Sequence, residues 1–439
     1  MSANESVPSV VWIRREWHLR NNPFPATGVA RIGGTDAREN GLLYEPDVHA
    51  DQLRESIEKF VLGMSFSGLK FGYLWSAGVI PGESDARGFG KSVLMQHLAG
   101  AINADFGSTV YQQAGLDEAD AREIPICSLF TGFDTAHVRT LGAALFAAVE
   151  YAVKFRTGDG PSLVGQLRRR LAERVGDSDV KELTKAVADT HRTLRGRTLG
   201  PPDDKLIVAL CDEAPNAAAD YLTKISSVSR SRNGALHMAS FLLFAAAAGI
   251  KHVLLCCDQL EDLASTTTTK AKRDLEIERF RDIIVETLPM ADMVTLVATM
   301  HPRASMTMRS AWSLADLPSF DLTPANRLRT VELPPLRDAI QAAQLLKPYL
   351  AAATKEDAQR EDELFPFTAD AVVCLFERSA RKPRDVLRKA HVVLDAAAKR
   401  NLSRITGQDV EAALDVPVQR GPGQIELTES TGMPDWSRG

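Results

Sequence analysis

The stretch Arg87-Gly88-Phe89-Gly90-Lys91-Ser92-Val93 places two glycines beside a lysine and a hydroxyl, and apolar text follows at Leu94 and Leu98. Successive backbone N–H groups opened by glycine and backed by a helix N-terminus converge on anionic oxygens. A lysine in that place reaches the terminal phosphates of a nucleotide, and the adjoining Ser hydroxyl sits on magnesium. The chemistry is that of a triphosphate cradle. Its parts are the backbone of Gly88, Phe89, Gly90, Lys91, Ser92 and Val93, the Lys91 amine and the Ser92 hydroxyl, with ATP and Mg2+ as the expected cofactors. The usual spacing is Gly, four residues, then Gly-Lys-Ser/Thr. Here that count lands on Asp85, and Gly78 opens the turn instead, with VIPGESDAR as an insertion. Insertions in surface loops cost little, so the departure changes the geometry of the loop more than its chemistry.

Such a cradle needs a second strand ending in a carboxylate that helps to hold the magnesium. Two stretches offer one. KLIVALCDEAPN (205–216) ends in Asp212-Glu213, and HVLLCCDQLEDL (252–263) ends in Asp258-Gln259 with Glu261 and Asp262 beyond. The second has a short unbroken apolar run after Gly249, as a buried parallel strand should. The first follows PPDDK, a helix start, and its Leu206, Leu210 and Ala214 recur at helical spacing. Asp258 is the preferred ligand, with Asp212 or Glu213 as the alternative.

The elements that must position these residues alternate along the chain. DVHADQLRESIEKFVLGM reads as a helix, FGYLWSAG as a strand and the text from Lys91 as a helix. PICSLFTG is a second strand, followed by an alanine-rich helix from Thr135 to Phe155. HVLLCCD, ADMVTLVATMHPR and RTVELPPL supply three more strands. Charge-rich helical text fills 156–235, the apolar SFLLFAAAAGI leads on to HVLLCCD, and from 337 the chain is helical throughout. Alternating strands and helices ahead of a helical block predict an α/β parallel-sheet core with a C-terminal all-α domain. The expected divisions are an irregular segment 1–46, a core 47–336 with a helical insertion at 156–250, a helical domain 337–416 and a flexible tail 417–439.

DQLEDL after an apolar strand resembles the magnesium-binding strand end of STAND-type ATPases and related AAA+ proteins. The resemblance implies that Asp258 coordinates magnesium and Glu261 helps to activate water. Gln259 stands where most AAA+ proteins carry the catalytic glutamate, which implies slow hydrolysis. VTLVATMHP is similar to the strand ending in the polar sensor residue, here Thr299 or His301. ANRLRTVELPPL resembles the segment that carries an arginine finger into a neighbouring subunit, with Arg327 at the matching position. KPRDVLR is similar to the start of the lid's sensor helix, making Arg384 the lid arginine. The likeness covers about 45–416 and implies a P-loop AAA+ core with a helical lid. It implies an ATPase switch that assembles into homo-oligomers and regulates or remodels a protein partner, as initiator, transposition-regulator and phage-defence ATPases do.

With 52 basic and 57 acidic residues the net charge is −5, so no bulk basicity advertises nucleic acid. QLRRRLAERV and HRTLRGR are the local candidates for DNA contact. Five cysteines without CxxC spacing exclude a disulfide framework or zinc ribbon and fit a reducing cytoplasm. Neither a signal pattern nor an apolar run of membrane-spanning length occurs. A weakly hydrolysing, nucleotide-dependent scaffold is the alternative function. A small-molecule kinase also uses a phosphate loop, but the segments around Arg327 and Arg384 argue against it.

Overall fold

A computed structural model of the chain describes residues 8–27, 36–39, 41, 43–67, 69–76, 87–133, 138, 140–154, 156, 160–193, 202–214, 216–260, 270–281, 293–299, 309–317, 324–356 and 362–415. Five strands form one sheet: β1 (Phe71–Ser76), β2 (Ile126–Gly132), β3 (His252–Asp258), β4 (Val294–Thr299) and β5 (Thr330–Leu333). All four pairings are parallel, in the order β2-β3-β4-β1-β5. The expected α/β class with a parallel sheet is therefore what the chain adopts, and it is compatible with a phosphate-loop core.

Strands β1 to β4 are buried on both faces along almost their whole length, as parallel strands covered by helices are, whereas the edge strand β5 leaves Glu332 exposed. Tyr73, Leu129, Val253, Leu255 and Ala298 enter one core. Leu74, Phe130, Leu254, Cys256 and Val297 enter the other. Helix α4 (Lys91–Asp105) and the π-helical turn Ile57–Leu62 cover the second face. Helices α7 (Leu141–Lys154) and α12 (Ser227–Ala247) cover the first. These two approach backbone to backbone at Gly142 and Gly234. A Cβ on Gly142 would lie 2.0 Å from the Ser231 carbonyl oxygen, and one on Gly234 would lie 1.7 Å from the carbonyl oxygen of Gly142. No other residue fits there. Between them α8 (Leu163–Val175), α9 (Val180–Thr193), α10 (Asp204–Cys211) and α11 (Ala217–Thr223) supply the helical block expected at 156–250.

The C-terminal helices are α14 (Ala339–Ala353), α15 (Ala369–Arg378), α16 (Pro383–Lys399) and α17 (Gly407–Leu414). They enclose a separate core around Leu346, Leu350, Val386, Leu394 and Val410. The N-terminal stretch, expected to be irregular, is corrected here. Ser9–Arg15 is a helix, and Trp17, Leu19 and Phe24 are fully buried in this C-terminal core. Trp12 Nε1 donates to the Leu402 carbonyl at 2.9 Å, and Trp17 Nε1 donates to that of Ser403 at 3.1 Å. A helix of seven residues with one buried position carries too little periodicity to be read; its aromatic neighbours hold it by tertiary contact. Among the described residues no helix is long and apolar enough to cross a membrane.

Candidate functional site

Every parallel strand ends on the same edge of the sheet, so the residues that close β1, β3 and β4 are neighbours whatever their separation in sequence. Those residues are Ser76, Asp258 and Thr299. Asp258 and Thr299 are only 4% and 2% exposed. Burial of a carboxylate is tolerated only where hydrogen bonds replace water. Thr299 provides one, its Oγ1 donating to Asp258 Oδ1 at 2.5 Å. The same hydroxyl accepts the main-chain N–H of Gln259 at 2.9 Å. Gln259 holds a left-handed φ of 55°, a conformation that a non-glycine residue adopts at some cost.

Gly88 and Gly90 both have φ of 93°, where a side chain would be strained. Gly90 starts α4, and no side chain caps that N-terminus, which leaves the first-turn N–H groups directed at the space in front of the helix. Lys91 Nζ donates to Ser76 Oγ at 2.6 Å, laying the amine across the end of β1. Arg87, Gly88, Phe89, Gly90, Lys91, Ser92 and Val93 line one cavity together with Asp258, Gln259 and Thr299. Phe89 takes part through its backbone, because its ring is buried in the core beneath α4, with the Lys382 ammonium 5.8 Å from its centroid.

The C-terminal helices form the opposite wall. Pro383 opens α16 at its first position, where a missing N–H is harmless. The next N–H, that of Arg384, donates to the Gly88 carbonyl at 3.1 Å. Arg384, Leu387, Leu345 and Tyr349 face the cavity from this side. Residues that sequence reasoning missed complete it: Pro25, Arg38, Gly41, Tyr44 and His49. Their stretch combines turn signals with a short 3-10 helix (Pro46–His49), and no spacing marks them as ligands. The His49 ring is buried against Gly90, and burial pushes its pKa down to about 4.

Ser92 and Asp258 thus meet at one cavity from two elements. A hydroxyl and a carboxylate are hard oxygen donors that suit magnesium, which takes few protein ligands and fills its remaining positions with phosphate oxygens and water. The other candidates lie elsewhere. Asp212 is the C-cap of α10, where its Oδ1 accepts the Ala214 N–H at 2.9 Å, and neither it nor Glu213 lines the cavity. KLIVALC is a helix, and HVLLCCD is the strand beside β4. Arg327 is exposed on the 3-10 helix Pro324–Arg329 at the N-terminal end of β5, the sheet edge away from the cavity. Glu261 and His301 lie outside the described residues.

Two arginines of QLRRRLAERV are engaged within the helical block. Arg168 Nε donates to the Cys211 carbonyl and Arg170 Nε to that of Ala248, each at 3.0 Å. Arg170 also lies over the Phe106 ring. Cys256, buried in β3, has its thiol pushed up to about 12 by burial, so it is a small apolar residue rather than a nucleophile. No model of a known protein family matches the chain, and no curated protein is similar to it in sequence.

Proposed function

We propose that the protein is an ATP-binding switch that hydrolyses ATP at the cavity between the sheet edge and the C-terminal helices. The observation carrying this reading is the convergence of Lys91, Ser92, Asp258, Thr299 and Arg384 on one cavity from four separate elements. Phosphoryl transfer to water asks a protein for position and charge rather than covalent chemistry. In this reading the N–H groups of Gly88–Val93 and the Lys91 amine hold the β- and γ-phosphates. Ser92 and Asp258 hold Mg2+, which when bound neutralises charge developing on the phosphate oxygens. Thr299, already bonded to Asp258, orients that carboxylate and meets the γ-phosphate. Arg384 links the phosphate to α16, so that the two nucleotide states differ in the position of the helical lid.

Gln259 supports a second reading of the same site. An amide orients water but accepts no proton from it, so turnover is slow and the bound state long-lived, as a nucleotide-dependent scaffold requires. Assembly of several chains is part of the proposal, because Arg327 lies far from its own cavity and acts only on a neighbour's. A protein or DNA partner and a role in defence, transposition or replication rest on the resemblance alone. The deciding experiment is ATP binding by Lys91→Ala, measured by calorimetry alongside circular dichroism. The fold is expected to survive, since the lysine reaches over the strand end and leaves no apolar void, while ATP affinity falls by at least ~10-fold, the loss of a hydrogen bond between charged groups. Equal affinity in mutant and parent excludes this cavity as the nucleotide site.

A further inference from the structure

His49 lines the cavity at 4% exposure with neither ring nitrogen in a hydrogen bond of ordinary geometry, and the Tyr44 hydroxyl in the same wall is likewise without one. The Pro334 carbonyl faces the ring without closing a bond of ordinary geometry. On the other side the ring lies against the phosphate loop: a Cβ placed on Gly90 would be 3.5 Å from His49 Cε1 and 4.0 Å from Nδ1. Buried polar groups are almost always satisfied, and an orphan left in a cavity wall marks a place for a ligand. The imidazole is neutral near pH 7 because burial disfavours its charged form. A neutral ring keeps one N–H donor, so donation to a ligand would exchange the poor contact with the Pro334 carbonyl for a better-formed bond.

Resting on the nucleotide reading of this cavity, we propose that His49 is a further ligand-binding residue, donating its N–H to a phosphate oxygen of the bound nucleotide. The class of ligand follows from place and chemistry. Gly90 starts α4, so a group beside it meets whatever anion the first-turn N–H groups hold. A phosphate oxygen is an acceptor only, which matches the donor on the ring. His49 is also the N-cap of the helix Ala50–Ser56, so the bond would tie that helix to the occupied site.

Two signs of opposite direction test this. In His49→Phe a slightly larger aromatic ring replaces the imidazole and the orphaned polar atoms are removed, so the nucleotide-free thermal midpoint is expected to hold or rise. Affinity for ATP and for inorganic tripolyphosphate is expected to fall together by about tenfold or more, the loss of one hydrogen bond to a charged group. His49→Gln, which retains an N–H donor, should recover part of that affinity. Unchanged affinity in His49→Phe with a lowered midpoint would make the ring a packing residue and overturn the proposal. A loss confined to ATP would move the contact to the nucleoside and overturn the phosphate assignment. A parent protein that binds neither probe overturns the proposed function itself, an outcome distinct from a binding parent with an unaffected variant.

Discussion

Thr299 donates to Asp258 at 2.5 Å while accepting the N–H of Gln259 at 2.9 Å, so one hydroxyl fixes a carboxylate and the turn that follows it. In Thr299→Val the shape is kept and both bonds are lost. The buried Asp258 and the Gln259 N–H are then short of a partner, a loss of about 1–3 kcal/mol. The expected result is a lower thermal midpoint, ATP binding close to the parent's and turnover reduced by an order of magnitude or more. Parent-level turnover would deny Thr299 any part in the site.

The two acidic candidates give a direct contrast. Asp258→Ala should abolish magnesium-dependent hydrolysis, because the carboxylate faces the cavity from the end of β3. Asp212→Ala removes only a helix-end bond to Ala214, costing about 0.5–1.5 kcal/mol of stability with turnover unaffected. Phosphate-release assays on both proteins, with Mg2+ varied, decide it. The reverse ranking would detach the magnesium site from this cavity.

Gly88 joins the loop to the C-terminal helices through the Arg384 N–H. A Cβ there would meet Arg384 Cβ at 2.9 Å and would hold a φ of 93°, strain of about 1–3 kcal/mol. Gly88→Ala should break the Arg384 N–H bond to residue 88 and speed hydrogen exchange at Arg384 and at Asp385, Val386 and Leu387 beyond it. Gly100→Ala is the control. It sits within α4 with nothing within 4 Å of the new methyl, so stability should hold or rise by about 0.5–1 kcal/mol. Identical exchange in the Gly88 variant and the parent would show that the loop and the C-terminal helices are not mechanically linked.

Arg327 is held by its backbone and exposed at its guanidinium. Lys59 Nζ donates to the Arg327 carbonyl at 2.6 Å and to that of Thr330 at 2.8 Å, fixing the segment that presents the side chain. Arg327→Ala should bind ATP normally yet lose turnover, by ~10³-fold if the arginine acts in trans, and only when chains assemble. Mixing it with Lys91→Ala chains should restore part of the activity, since some junctions then pair an intact loop with an intact arginine. No recovery on mixing, or a parent that stays monomeric by light scattering with ATP and Mg2+, leaves the scaffold reading in its place.

The sequence by itself determined what is local. Short, mostly apolar stretches between helical segments named all five strands, the unbroken run Val253–Cys257 most clearly, and helical spacing favoured KLIVALC as a helix over HVLLCCD because the two periods differ within a few residues. Glycines before Lys91 marked the loop because the left-handed backbone there needs them. Tertiary structure alone decided which chain ends meet. The order β2-β3-β4-β1-β5 brings Ser76, Asp258 and Thr299 to one edge, and no local pattern encodes strand order. It also recruited Trp17, Leu19 and Phe24 into the C-terminal core from the far end of the chain. It set His49 against Gly90 as well. Contacts across hundreds of residues follow from complementary shape, and a short polar stretch shows nothing of its partner until both are folded.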